Sequence, residues 1–146
     1  MCALEYIINN STFSSFSHVF KADDHDTDVT GAQIKELESQ YKEILENNDY
    51  IGQNVVLPHG CGRFHHIGKV PQESPWYGKE FTEDVVPYLG GGQTYILNRR
   101  SMQYLVENKE KASKYGSYED VMVGFILREN NIVPFQLNYG IRTWWG

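Results

Sequence analysis

Residues Lys21 to Val29 read Lys-Ala-Asp-Asp-His-Asp-Thr-Asp-Val and hold four aspartates and one histidine. They follow the mainly apolar run His18-Val19-Phe20. Carboxylates this crowded repel one another, and a fold tolerates them when solvent, a cation or a metal ion screens them. A hard cation such as Mn²⁺ or Mg²⁺ takes oxygen ligands and leaves positions for phosphate oxygens. In an extended segment Asp24 and Asp26 face the same side. In a turn, Asp23 joins them. His25 offers a ring nitrogen to a metal, caps a turn, or lies at the surface. The same residues also suit a solvated loop, because aspartates near a helix start stabilise its dipole. A calcium loop fits less well. Gly31 and Glu36 sit near that pattern, but the segment ahead is Ser/Thr-rich loop and strand rather than helix.

A strand ending in acidic residues delivers carboxylates to a sheet edge, where α/β enzymes commonly place their chemistry. Ser17 to Ala22 has that strand pattern. Thr30 then caps an amphipathic helix from about Gly31 to Asn47, with Ile34, Leu37, Tyr41, Ile44 and Leu45 at helical spacing. Tyr50 to Leu57 reads as a strand. Pro58 to Ser74 is punctuated by Pro and Gly and reads as a surface loop. After the breaker cluster Pro87 to Gly92, Thr94 to Leu97 reads as a strand. Tyr95 and Leu97 are expected on one face, Thr94 and Ile96 on the other. Ser101 is expected to cap a helix in which Met102, Leu105 and Val106 share a face. Glu119 and Asp120 lead a second amphipathic stretch, with Val121, Phe125 and Ile126 buried and Met122 and Leu127 at the margins. Ile132 to Leu137 reads as a last strand, at an edge or bent because of Pro134. Alternating strands and helices predict an α/β layer architecture.

A chain of 146 residues predicts one domain, 1–146, large enough for a core without disulfide or zinc support. The formal charge of -6, with no basic stripe, argues against nucleic acid as a partner. Cys2 and Cys61 are the only cysteines and form no CxxC pair, which argues against a cysteine-based zinc site. No apolar run approaches bilayer length, and the first ten residues are too polar for a signal peptide. The expectation is a soluble chain, with its localisation left open.

Three separated segments agree with one family. Phe20-Lys-Ala-Asp-Asp-His-Asp-Thr27 resembles a signature of lysine, any residue and an acidic triplet. Pro87-Tyr-Leu-Gly-Gly-Gly-Gln-Thr-Tyr-Ile-Leu-Asn98 resembles a block of proline-aromatic, two glycines, tyrosine, a hydrophobic residue, leucine and serine. Tyr118-Glu-Asp-Val-Met-Val-Gly124 resembles a Glu-Asp-Val block closed by glycine. In this order, over roughly Val19 to Leu127, the chain resembles the β-1,3-galactosyltransferase, N-acetylglucosaminyltransferase and fringe group of glycosyltransferases.

The resemblance implies a partial or minimal GT-A-like mixed sheet flanked by helices. It implies Mn²⁺ (or Mg²⁺), a UDP-sugar donor, a glycan or glycoconjugate acceptor, and inversion at the transferred anomeric carbon. Asp120 falls on the family's catalytic base, with Glu119 as the fallback. Without the resemblance, that pair reads as helix caps. Asp24, Asp26 and His25 fall near the metal-binding triplet. Either His25 takes the third place or Asp26 does. Lys21, Asp23, Asp24, Gly90, Gly91 and Gly92 are the expected cofactor-binding residues. Lys21 screens the cluster, reaches phosphate, or makes a structural salt bridge. The glycines let backbone approach a sugar or metal-diphosphate, or simply form a turn. Trp76, Tyr77 and Tyr88 stack on a sugar or pack. Arg63, His65, His66 and Lys69 are candidates for phosphate or acceptor contacts. The resemblance covers the catalytic half, without much of the N-terminal nucleotide-binding half. A separate chain or upstream segment is therefore expected to complete the donor site. The alternative is a non-catalytic carbohydrate-binding or assembly module.

Overall fold

A computed structural model describes residues 2–22, 29–56, 71–75, 77, 86–90, 94–115 and 119–141. Asp23, Asp24, His25, Asp26, Gly91 and Gly92 lie outside the described residues, as do Arg63, His65, His66, Lys69 and Trp76.

The described chain is mixed α/β. Its helices are α1 (Cys2–Asn9), α2 (Gly31–Gln40), α3 (Lys42–Asn47), α4 (Arg99–Glu107) and α5 (Glu119–Glu129). Its strands are β1 (His18–Lys21), β2 (Tyr50–Gly52), β3 (Val55–Val56), β4 (Tyr88–Leu89), β5 (Tyr95–Asn98) and β6 (Phe135–Gln136). A four-stranded sheet has the order β1-β5-β2-β6. β5 runs antiparallel to both neighbours, and β6 runs parallel to β2. β3 and β4 form a separate antiparallel ribbon.

Period-two alternation along the central strands divides the core into two layers. Tyr50, Tyr95 and Leu97 point to a cluster with Met102 and Leu105 of α4 and Val121, Val123, Ile126 and Leu127 of α5. Ile51 and Ile96 point the other way, to Leu37, Leu45, Tyr139 and Ile141. The expected alternation of Tyr95 and Leu97 against Ile96 therefore holds. The strand expected over Ile132 to Leu137 shortens to β6, Phe135–Gln136, beyond Pro134; it lies at the sheet edge, and its two residues are exposed.

Some elements differ from the sequence reading. Thr30 does cap α2, in a reciprocal box with Gln33: Gln33 N–H donates to Thr30 Oγ1 and Thr30 N–H to Gln33 Oε1. The single helix expected to Asn47, however, breaks at Tyr41, whose φ of -116° and ψ of 22° are not helical. About 80° of helical rotation would separate Leu37 and Leu45 on a straight helix. The break lets both enter one cluster, while Ile34, Tyr41 and Ile44 are only half-buried. The strand expected over Tyr50 to Leu57 divides into β2 and β3, which serve different sheets.

The cap of α4 is Asn98, whose side chain accepts from Ser101 N–H, rather than Ser101 itself. Ser101 is fully buried and donates to Asp49 O at 2.8 Å. α5 is buried more widely than an amphipathic stripe. Met122 and Leu127 belong to the core, and Phe125 is half-buried, because β4, α4 and the short 3-10 helix Lys109–Tyr115 all pack on this helix.

Candidate functional site

Lys21 is the last residue of β1, two positions before Asp23. The antiparallel register pairs it directly with Tyr95 of β5. Paired residues project from the same face, and Lys21 Nζ stands 5.4 Å from the Tyr95 ring centroid. Glu119 opens α5, where the helix dipole favours an acidic side chain. The Tyr95 hydroxyl donates to Glu119 Oε1 at 2.8 Å. Lys21 Nζ is 3.5 Å from Glu119 Oε2. The end of β1, the middle of the sheet and the start of α5 thus meet at one carboxylate.

The contact network continues to β4. The Tyr50 ring meets the Tyr95 ring edge-on, with centroids 5.7 Å apart. Leu89 N–H donates to the Tyr50 hydroxyl at 2.9 Å. Gly124 of α5 then packs against Tyr88: a methyl group at Gly124 would overlap Tyr88 Cβ and lie 3.3 Å from its Cα. Only glycine permits that approach of helix to strand. The three sequence blocks that carry the family resemblance therefore touch one another through Lys21, Tyr88, Tyr95, Glu119 and Gly124.

The electrostatics agree with this convergence. Burial raises the Tyr95 hydroxyl well above its ordinary value, and the Glu119 charge raises it further. Burial also raises Tyr50. The Leu89 N–H opposes that rise, and the charges of Asp120 and Glu119 add to it. Both carboxylates of the Glu119-Asp120 pair therefore act on the buried tyrosines. Asp120 is half-buried in the first turn of α5.

Of the expected site residues, the structure brings together Lys21 and Glu119, with Asp120 adjacent to Glu119. Lys21 makes a salt bridge with Glu119, one of the roles left open for it. Gly90 has a packing explanation: its N–H donates to Asn54 O at 3.0 Å, and a side chain would meet Asn54 Nδ2 at 3.2 Å. Tyr88 is buried and packs, whereas Tyr77 is half-exposed. Sequence reasoning placed Tyr95 on one face of a strand and gave it no site role. Alternation does not say which face is buried, and only a buried tyrosine needs a protein partner for its hydroxyl.

Among the described residues, no group of three or more His, Cys, Asp and Glu is arranged to hold a metal ion. Nor is any helix among them long and apolar enough to cross a membrane. Compared with known proteins, the chain matches no family model and no curated protein sequence.

Proposed function

We propose that this chain transfers a sugar, with inversion, from a UDP-sugar to a carbohydrate hydroxyl, using a divalent cation and a partial GT-A-like sheet. The observation that carries the reading is the meeting of three blocks, distant in sequence, at the end of β1 and the start of α5. In sequence the acidic segment follows immediately after Lys21 and Ala22.

The donor chemistry of that segment fits Mn²⁺ or Mg²⁺, since it combines hard carboxylate oxygens with one imidazole. Asp24 and Asp26 would hold the cation, with His25 as an additional ligand. When bound, such a cation stabilises the negative charge of a departing diphosphate. The chain's own residues supply the remainder. Asp120 removes the acceptor hydroxyl proton as the oxygen forms its bond to the anomeric carbon. The bond from that carbon to the diphosphate oxygen breaks, and UDP departs with the electron pair.

Calorimetric titration of the intact, folded chain with UDP, with and without Mn²⁺, tests the reading. Binding should require Mn²⁺, and Asp26→Asn should weaken it far more than it weakens folding. No Mn²⁺-dependent UDP binding by the folded chain rejects the reading of this chain as a transferase by itself. Glycan binding without any response to UDP supports a carbohydrate-binding module instead. A preference for Ca²⁺ with indifference to UDP identifies a calcium protein.

A further inference from the structure

Tyr95 is 2% exposed, so its hydroxyl depends on a protein partner. That partner is Glu119 Oε1, while Lys21 holds Oε2 from the neighbouring strand. Both oxygens of Glu119 are therefore engaged by side chains from two strands. A carboxylate held this way is poorly placed to take a proton from a substrate. Successive helical residues leave the axis about 100° apart. Holding Glu119 thus also sets the direction in which Asp120 leaves the first turn of α5.

We infer that Glu119 is a positioning residue: with Tyr95 and Lys21 it clamps the start of α5 to the end of β1 and aims Asp120 at the acceptor. The inference rests on the transfer reading above and divides the acidic pair into one holding and one reacting carboxylate. It also gives Tyr95 influence over rate, although Tyr95 touches no substrate. The two halves of the clamp are unequal. The Glu119 side chain is 54% exposed, so solvent screens its pairing with Lys21. The bond from the buried phenol is directional and fixes the geometry.

The test uses the full chain with Tyr95→Phe, Glu119→Ala, Glu119→Gln and Asp120→Asn. Denaturant unfolding of Tyr95→Phe, Glu119→Ala and their double variant forms a cycle. The clamp predicts a coupling of roughly 2- to 10-fold in the unfolding constant, the scale of one hydrogen bond. Additive effects overturn it. Transfer is then measured with Mn²⁺ and UDP-galactose or UDP-N-acetylglucosamine, over a panel of monosaccharide glycosides. Glu119→Ala should lower kcat by roughly 10- to 100-fold through misplacement of the base, with KM unchanged. Glu119→Gln retains an oxygen for Tyr95 and should restore most of that loss, whereas Asp120→Asn should stay slow. Glu119→Gln as slow as Asp120→Asn would make Glu119 the base and overturn the inference. A chain that transfers without coupling removes the clamp alone. A chain that shows coupling but transfers nothing removes the transfer reading, and the positioning role with it.

Discussion

On the α4–α5 side of the sheet, two buried tyrosines, Tyr50 and Tyr95, meet edge-on and connect to β4 and to Glu119. One residue further along each strand, Ile51 and Ile96 face the α2–α3 side and pack with Leu37, Leu45 and Ile141. That side also buries a tyrosine, but Tyr139 joins neutral groups: its hydroxyl donates to Thr94 O at 2.7 Å and lies 2.7 Å from Thr94 Oγ1. The contrast is one of charge. The first face reaches the carboxylates that open α5, while the second combines apolar packing and neutral hydrogen bonds with a pocket beside Phe20, Leu37 and Ile96. Polar contacts are directional, whereas hydrophobic burial scales with area. The first face can therefore orient a reacting group, and the second chiefly stabilises the sheet.

The largest effect that separates the faces should come from Asp120→Asn. It should retain Mn²⁺-dependent UDP affinity while transfer falls roughly 10²–10⁴-fold. Parallel rate and calorimetric measurements check this, and a loss of donor affinity equal to the loss of rate would contradict the base assignment. On the apolar face, Leu37→Ala should cost about 2–5 kcal/mol through lost burial and a cavity. Denaturant midpoints measure that cost, and a value near zero would mean that Leu37 does not help to hold α2 on the sheet.

Gly124→Ala returns to the first face. The new methyl meets Tyr88 backbone and Cβ rather than a flexible side-chain end, so overpacking should cost about 1–3 kcal/mol. At Gly31 a methyl meets no atom within 4 Å, and Gly31→Ala serves as the control without overpacking. Equal stability of the two variants would show that α5 and β4 can separate freely.

The smallest difference is in alkaline stability. Burial pushes the Tyr139 hydroxyl up to about 12, although its bonding with Thr94 opposes the rise. Tyr95 is raised well above the ordinary tyrosine value, chiefly by burial and then by the Glu119 charge. Raised values mean that the folded chain keeps these protons after the unfolded chain has lost them. Their contribution is complete below about pH 10 and declines as pH rises above it, for Tyr139 through about pH 12. Tyr139→Phe should flatten the decline in stability up to about pH 12, and Tyr95→Phe should flatten a decline to which the Glu119 charge adds. Unfolding midpoints measured from about pH 9 to 12 check both. A variant that declines as steeply as the unsubstituted chain would show that burial does not hold the proton of that phenol.

Local pattern carried much of this architecture. The Thr30 cap, the helix register at Leu37, the two faces of β5 and the edge position of β6 all follow from short-range rules: capping, periodicity and the missing N–H of Pro134. Those rules act over a few residues, so they are readable without the fold. The break at Tyr41 and the division of Tyr50–Leu57 were not, because distant surfaces decide how far an element continues. The Asn98 cap escaped for a similar reason: Ser101 is drawn inward by Asp49, which lies 52 residues earlier.

For the site, the sequence by itself determined the chemical inventory: an acidic segment beyond a strand, a glycine-rich block, and a Glu-Asp pair at a helix start. It left Lys21 with several roles and ranked Asp120 over Glu119 only through the family resemblance. Only the tertiary structure decided that Lys21 and Tyr95 are cross-strand partners and that both meet Glu119. The physical reason is separation along the chain: 97 residues lie between positions 21 and 119. No local propensity encodes a contact over that span. It arises when β1 pairs with β5 and the first turn of α5 meets them, which brings the lysine, the phenol and the carboxylate within bonding distance.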